Sequence, residues 1–145
     1  MPRSKTFLPD VNVWLALASR RHMHYLIATQ WLEGAADDQV AFCRITQMGL
    51  LRLLTNRTAM GIDVLTQADA WKAYRQIVSD SRIRFLAEPL GIEEVWRELT
   101  ASRQASTNVW TDAYLQAFSH LSGSQVVSFD RRFSRYREPA PLVLG

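Results

Sequence analysis

The amino-acid sequence predicts a single α/β domain in which helices surround a mainly parallel sheet. Four short runs rich in β-branched or aromatic residues have the character of strands, and amphipathic stretches of helical length lie between them. Strands that alternate with helices favour parallel pairing, because each helix provides the crossover that a parallel connection needs. No repeat, low-complexity segment or linker divides the sequence, so we expect one domain over residues 1–145.

The predicted strands are bounded by polar or turn-forming residues. They lie in the runs TFLPD (6–10), VAFCRI (40–45), RIRFLAEP (82–89) and QVVSFD (125–130). Each is short enough to be a strand of a small domain. The first and last of these runs end in an aspartate, which places Asp10 and Asp130 at strand ends.

Apolar residues at helical spacing predict the helices. These stretches are HYLIATQWLEGAA (24–36), TQMGLLRLLTN (46–56), TQADAWKAYRQIVSD (66–80), IEEVWRELTASRQ (92–104) and TDAYLQAFSHLSG (111–123). Gly34 and Gly123 are the expected stops of the first and last. Thr66, followed by Asp69, has the spacing of a capping box, and Thr111 or a residue just before it is the expected N-cap of the last helix.

Composition excludes several classes of protein. With 145 residues, 48% of them hydrophobic, the chain can bury one full core. The single Cys43 excludes an internal disulfide framework and a cysteine-rich zinc site. No apolar run reaches the roughly 20 residues of a membrane span, and no leader pattern opens the sequence. We therefore expect a cytoplasmic protein with no membrane partner.

The basic residues favour a phosphate-containing partner. All of the 17 basic residues except Lys5 and Lys72 are arginines, whose planar fork suits phosphate, and the formal net charge is +3. A high arginine content also follows from a GC-rich genome. Four arginines nevertheless crowd into one C-terminal stretch and form a candidate phosphate-binding patch: Arg131, Arg132, Arg135 and Arg137.

Three aspartates are expected to meet at one edge of the sheet. Asp10 and Asp130 end strands, and Asp112 falls in the first turn of the helix before the last predicted strand. Reactive groups of parallel sheets gather outside the carboxyl ends of the strands. Taken singly, each aspartate is more often a helix cap or turn former. Together they predict a site for a hard cation, Mg²⁺ or Mn²⁺, because close carboxylates repel each other unless a cation joins them.

The ordered motifs LPDVNVWLAL (8–17), FCRITQMGLLRLLTN (42–56), VWTDAYLQAF (109–118) and VVSFDRRF (126–133) resemble those of PIN-domain ribonucleases of the bacterial VapC toxin type. The resemblance implies an α/β/α sandwich around a mainly parallel sheet of four or five strands. It also implies metal-dependent cleavage of RNA, usually tRNA or ribosomal RNA, and inhibition by a VapB-type antitoxin. Asp10, Asp112 and Asp130 match the family's catalytic, metal-binding acids, and homodimers are implied.

One position departs from that family. Its members usually carry a glutamate in the helix after the second strand, but this sequence has no acid between Asp38 and Asp63. Gln47 or Gly49 stands where that glutamate would fall, which leaves the number of metal ions open. Glu88, at the end of the RIRFLAEP run, is a further candidate ligand, and its alternative is a solvent-facing acid.

The sequence offers further polar candidates and two other functions. Arg44, Arg131 and Arg132 are the expected RNA-binding residues, while Asn12 and Ser128 are polar residues beside the acids. A degenerate domain that binds RNA or an antitoxin without cleavage would also explain the missing glutamate. A haloacid-type phosphatase begins with a strand-end aspartate too, but it needs a second aspartate where this chain has Asn12.

Overall fold

The computed structural model describes residues 5–145 and shows helices on both faces of a five-stranded parallel sheet. The first four residues of the predicted domain lie outside the described part. The strands are β1 (Thr6–Pro9), β2 (Val40–Phe42), β3 (Ile83–Phe85), β4 (Ser124–Ser128) and β5 (Leu142–Val143). They lie in the order β3-β2-β1-β4-β5, and every neighbouring pair is parallel. The predicted α/β class is confirmed.

Five of the seven α-helices between residues 5 and 145 fall where the apolar spacing predicts them, with differences at their ends, whereas the helices that begin at Val11 and at Arg57 were not predicted. They are α1 (Val11–Ala18), α2 (Tyr25–Glu33), α3 (Arg44–Leu54), α4 (Arg57–Met60), α5 (Gln67–Val78), α6 (Ile92–Thr100) and α7 (Trp110–Ser122). Two 3₁₀ turns cover Gly61–Asp63 and Arg131–Arg135. None of the helices within residues 5–145 is long and apolar enough to cross a membrane.

Caps explain several of these ends. The Thr66 side chain accepts a hydrogen bond from the Asp69 N–H at the start of α5, as its spacing predicts. Gly123 ends α7 with φ of +68°, a left-handed conformation that favours glycine. At the other end of α7, the option of Thr111 itself as the cap is wrong, and the cap lies just before it. That helix begins one residue before Thr111, and its N-cap, Val109, provides no side-chain hydrogen bond.

The core is divided between the two faces of the sheet. Alternate residues of β2 show the division, because Val40 and Phe42 pack in one apolar cluster and Ala41 in the other. On the first face, Trp14 stacks on Phe42 with ring centroids 3.6 Å apart. On the second, Phe118 of α7 is fully buried. Both clusters pack against central strands of the sheet. The carboxyl ends of β1 and β4 therefore lie between the two halves of the core.

Candidate active site

Asp10 lies at the centre of the carboxyl edge of the sheet. It directly follows β1, the middle strand, and its own N–H donates to the Val127 carbonyl of β4 at 2.9 Å. Its Oδ1 accepts from the Val13 N–H at 3.1 Å, so the carboxylate is the N-cap of α1. Only 6% of the residue is exposed. The sequence predicted that Asp10 ends a strand, but it did not predict that α1 begins directly after this residue.

Ser128, the last residue of β4, connects Asp10 with Asp130. Its hydroxyl donates a short hydrogen bond to Asp10 Oδ2 and accepts from the Asp130 N–H at 2.9 Å. Asp130 then caps the 3₁₀ turn, where its Oδ1 accepts from the Arg132 N–H at 2.9 Å. The neighbouring guanidinium is bound as well, with Arg132 Nη2 2.7 Å from Asp130 Oδ2. Ser128 therefore orients the carboxylate of Asp10 and the backbone of Asp130.

Asp112 approaches the same edge from α7. It lies in the first turn of that helix, and its side chain is 19% exposed. Arg135 Nη2 is 4.0 Å from Asp112 Oδ2. The charges of Asp112 and Asp130 both act on Asp10. The structure thus brings the three predicted aspartates near one another, and each is in contact with a serine or an arginine.

Burial controls the protonation of these carboxyl groups. Desolvation raises the pKa of Asp10 from 3.8 to about 6, although the hydrogen bonds from Ser128 and Val13 oppose the change. Desolvation also raises the pKa of Asp112, against the attraction of Arg132. The Arg132 hydrogen bond lowers the pKa of Asp130. Nearby positive charge therefore does not compensate the burial of Asp10 and Asp112, whereas Arg132 balances the charge of Asp130.

A cleft of about 520 Å³ opens over Asp10 and Asp112. Its walls come from the start of α1, one side of α3 and the first turns of α7. Polar side chains line it beside the acids, among them Asn12, Thr46, Arg52, Asn56 and Thr111. Arg52 and Asn56 were not singled out from the sequence. The available signal was spacing, since Arg52 lies three residues after Gly49 and thus on the same side of α3.

Gly49, and not Gln47, occupies the cleft position on α3. Gln47 is buried and accepts a hydrogen bond from Arg44. A Cβ atom at Gly49 would lie 2.5 Å from Val11 Cγ2, a distance that real side chains do not adopt. Glycine at position 49 therefore lets α1 and α3 approach closely beside Asp10. The same contact leaves no room there for a glutamate unless the Val11 side chain or α1 shifts.

Replacing Gly49 with alanine is expected to destabilise the fold by up to roughly 2 kcal/mol. Overpacking against Val11 costs about 1–3 kcal/mol, and the better helix propensity of alanine returns about 1. Gly34→Ala is the matched control, because a Cβ there meets only Trp31 O at 3.5 Å and φ is −82°. Urea unfolding of both variants would test the contact. Equal stability of the two would show that Val11 moves aside at no cost.

The other predicted site residues lie apart from this cleft. The Arg44 guanidinium is 4.7 Å from the centre of the Phe85 ring, near β3. Glu88 is exposed and accepts a hydrogen bond from Tyr114 Oη at 2.8 Å. Arg131 is exposed beside Asp130. Arg132 contacts Asp130, and Arg135, which the sequence placed only in the arginine patch, faces Asp112.

The carboxylates at this edge have the donor chemistry of a divalent-cation site. Carboxylate oxygens are the donors that Mg²⁺ and Mn²⁺ prefer, and a cation would offset the desolvation that raises the pKa of Asp10. Within the described residues, no three His, Cys, Asp or Glu side chains already converge closely enough to surround an ion. The donor chemistry of Asp10 and Asp112 fits such an ion, while Arg132 holds Asp130 in this structure.

The PIN domain family model matches residues 7–139, a span that contains every element from β1 to the 3₁₀ turn after β4. The chain belongs to the PIN-domain family. Its curated relatives are VapC proteins. It is 42% identical to Ribonuclease VapC41 of Mycobacterium tuberculosis, over 89% of this chain and 92% of that protein. It is 30% identical to Ribonuclease VapC44 of the same species, over 86% and 85%. The resemblance noted in the sequence is confirmed.

Solved structures share the fold of this PIN domain. Mycobacterium tuberculosis VapC20, described as a toxin that cleaves the sarcin-ricin loop, superposes with a TM-score of 0.62 and 17% identity over 86% of this chain and 88% of that one. A toxin–antitoxin complex from Klebsiella pneumoniae gives a TM-score of 0.64 and 18% identity over 95% and 97%. These likenesses confirm the α/β/α arrangement of this PIN domain.

Proposed function

We propose that this PIN domain is a metal-dependent endoribonuclease and the toxin of a toxin–antitoxin pair. The observation that carries the proposal is the buried carboxylate of Asp10, which faces a cleft together with Asp112 and lies one serine away from Asp130. A protein tolerates such a desolvated carboxyl group at a strand end when function requires it. The identity to VapC ribonucleases over most of the chain supports RNA as the substrate.

Asp10, Asp112 and Asp130 are the proposed ligands of Mg²⁺ or Mn²⁺, and the missing helix glutamate leaves these aspartates as the principal acids. When bound, the cation supplies Lewis acidity at the scissile phosphate and makes water a better nucleophile at neutral pH. Ser128 orients the Asp10 carboxylate through its hydroxyl, so the group needs little reorganisation. Glu88 lies outside the cleft and is left as a surface acid bonded to Tyr114.

Arginines beside the acids are the proposed contacts of the RNA backbone. Arg131 and Arg132 follow Asp130 directly, and Arg52 lines the cleft. Phosphate contacts of this kind provide affinity that depends on salt. Arg44 lies near β3 and away from the cleft, so any contact that it makes with RNA involves a nucleotide further from the acids. An unpaired segment suits the cleft better than a duplex, because its bases and phosphates are accessible.

The proposed assembly is a homodimer inhibited by a VapB-type antitoxin in the cytoplasm. Apolar side chains in the cleft wall support a peptide-binding role, because Met48 is 54% exposed and lies beside Leu53 and Leu115. An extended peptide can place apolar residues there and an arginine at the acids. The superposition on a chain of the Klebsiella toxin–antitoxin complex, over nearly the whole length of both, supports an antitoxin partner.

Purified, partner-free protein incubated with total RNA tests the proposal. We expect discrete RNA fragments with Mg²⁺ or Mn²⁺ and intact RNA with EDTA, and the circular dichroism spectrum should be the same in both. Adding Mg²⁺ in excess of the EDTA should restore cleavage. Intact RNA under every metal condition would refute nuclease activity and favour a degenerate domain that binds RNA or a partner without cutting.

A further inference from the structure

Arg44 lies at the same edge of the sheet as the acids, beside the neighbouring strand. It is the first residue of α3, and only Cys43 separates it from the carboxyl end of β2. Its guanidinium lies over the ring of Phe85, the last residue of β3. Because neighbouring strands are about 4.8 Å apart and β3 is two strands from β1, this group lies on the order of 10 Å from Asp10. A phosphate bound at Asp10 is too distant for Arg44, whereas a neighbouring phosphate of the same strand is not.

Two neutral groups hold the Arg44 guanidinium in place. Its carbon is 4.7 Å from the centre of the Phe85 ring, and its Nη1 donates to Gln47 Oε1. Gln47 is only 7% exposed and lies three residues further along α3, so the packing of the helix fixes the acceptor. The direction of the guanidinium is therefore set before any ligand binds, which lowers the conformational entropy that binding has to remove.

The positive charge of Arg44 has no counter-ion in the described part of the chain. None of the ion pairs among residues 5–145 includes this exposed residue, and its Nε and Nη2 atoms make no hydrogen bond there. Nε and Nη2 form the edge of a guanidinium that binds an oxyanion through two parallel hydrogen bonds. Arg82 shows the occupied form of this edge, since its Nε and Nη2 donate to the two carboxylate oxygens of Asp80. The corresponding edge of Arg44 is free to receive an external oxyanion.

We propose that Arg44 binds an RNA phosphate adjacent to the scissile one and that Gln47 positions Arg44 for this contact. The free edge carries only donors and a full positive charge, which suits a phosphate better than a base. A carboxylate at position 47 would pair with Arg44 and cancel this charge, whereas the Gln47 amide holds the guanidinium and leaves its charge available. The inference rests on the proposed ribonuclease function, because the acids determine which phosphate is cut and therefore which one lies beside Arg44.

Two substitutions separate the charge of Arg44 from its positioning. Arg44→Gln removes the charge, and Gln47→Met removes the acceptor at a similar volume; the double variant completes a double-mutant cycle. Arg75→Gln is the matched control, because Arg75 is an exposed arginine in the last turn of α5, the helix that leads to the amino end of β3. Binding of a short fluorescein-labelled single-stranded RNA is measured by anisotropy in EDTA at several salt concentrations. Thermal unfolding of each protein is recorded beside it.

We expect Arg44→Gln to weaken RNA binding about fivefold at low salt. It should also reduce the slope of log affinity against log salt by about 0.7, the value for one phosphate contact of a single strand. Gln47→Met should weaken binding about threefold at an unchanged slope, because the charge remains but has to be ordered on binding. In the Arg44→Gln background, Gln47→Met should have no further effect, whereas a purely structural role of Gln47 would change both backgrounds equally. Arg75→Gln should bind as the wild type does.

Cleavage kinetics with Mg²⁺ provide a second readout. Arg44→Gln should raise KM and leave kcat unchanged, because its phosphate is not the reacting one. An affinity and a salt slope of folded Arg44→Gln equal to those of Arg75→Gln would overturn the proposal, as would a wild type without affinity for the RNA. Additive effects of the two substitutions would overturn the positioning role of Gln47. Absence of cleavage by the wild type would refute the nuclease, while the EDTA measurement would still decide the phosphate contact.

Discussion

Replacing Asp10 with asparagine is expected to reduce RNA cleavage by about 10³-fold. Asp10 is the most buried of the three aspartates and faces the cleft with Asp112. Asparagine keeps the acceptor for the Val13 N–H but removes the negative charge that a divalent cation requires. A loss of several kcal/mol of transition-state stabilisation corresponds to this factor. Initial rates on a fluorogenic RNA, with saturating Mg²⁺ or Mn²⁺, measure the effect.

Asp38→Asn provides the control for this substitution. Asp38 is exposed at the amino end of β2, on the opposite edge of the sheet from Asp10. Its φ is +57°, a conformation that asparagine adopts as readily as aspartate. The same change of charge should therefore leave both stability and cleavage unchanged. Wild-type rates in Asp10→Asn would exclude Asp10 from the catalytic machinery.

Asp10→Asn is also expected to stabilise the metal-free protein at neutral pH by about 3 kcal/mol. The pKa of Asp10 is about 6 in the folded protein against 3.8 as a free side chain, and two pKa units correspond to that free energy. Because the folded pKa is raised, the protonated form favours folding. Its contribution is complete below pH 3.8 and is lost as the pH rises through 6.

Urea unfolding in EDTA at several pH values measures this linkage. The difference in unfolding free energy between Asp10→Asn and wild type should grow from pH 3.8 to pH 6 and then stay constant. Carboxyl groups far from Asp10 titrate in both proteins and cancel in the difference, whereas Asp112 and Asp130 act on Asp10 and belong to the same linkage. Added Mg²⁺ should stabilise the wild type and leave the variant unchanged. A difference that is independent of pH would show that burial does not hold the Asp10 proton.

The sequence by itself determined the class of fold and the three acids. Strand-like runs and apolar spacing depend on local chemistry, so they predicted four of the strands and the main helices. The placement of Asp10, Asp112 and Asp130 followed from topology, since carboxyl ends of parallel strands share one edge. β5 was missed because Leu142–Val143 is too short to show a pattern and is held only by pairing with β4.

Tertiary structure alone decided how these acids are held. Ser128 reaches Asp10 and Arg135 reaches Asp112 from distant positions that no local pattern encodes, whereas Arg132 holds Asp130 from two residues away. The choice between Gly49 and Gln47 depended on which side of α3 meets Val11, a matter of helix packing. Spacing in sequence fixes which residues can share a face, whereas desolvation and partner choice depend on contacts between distant segments.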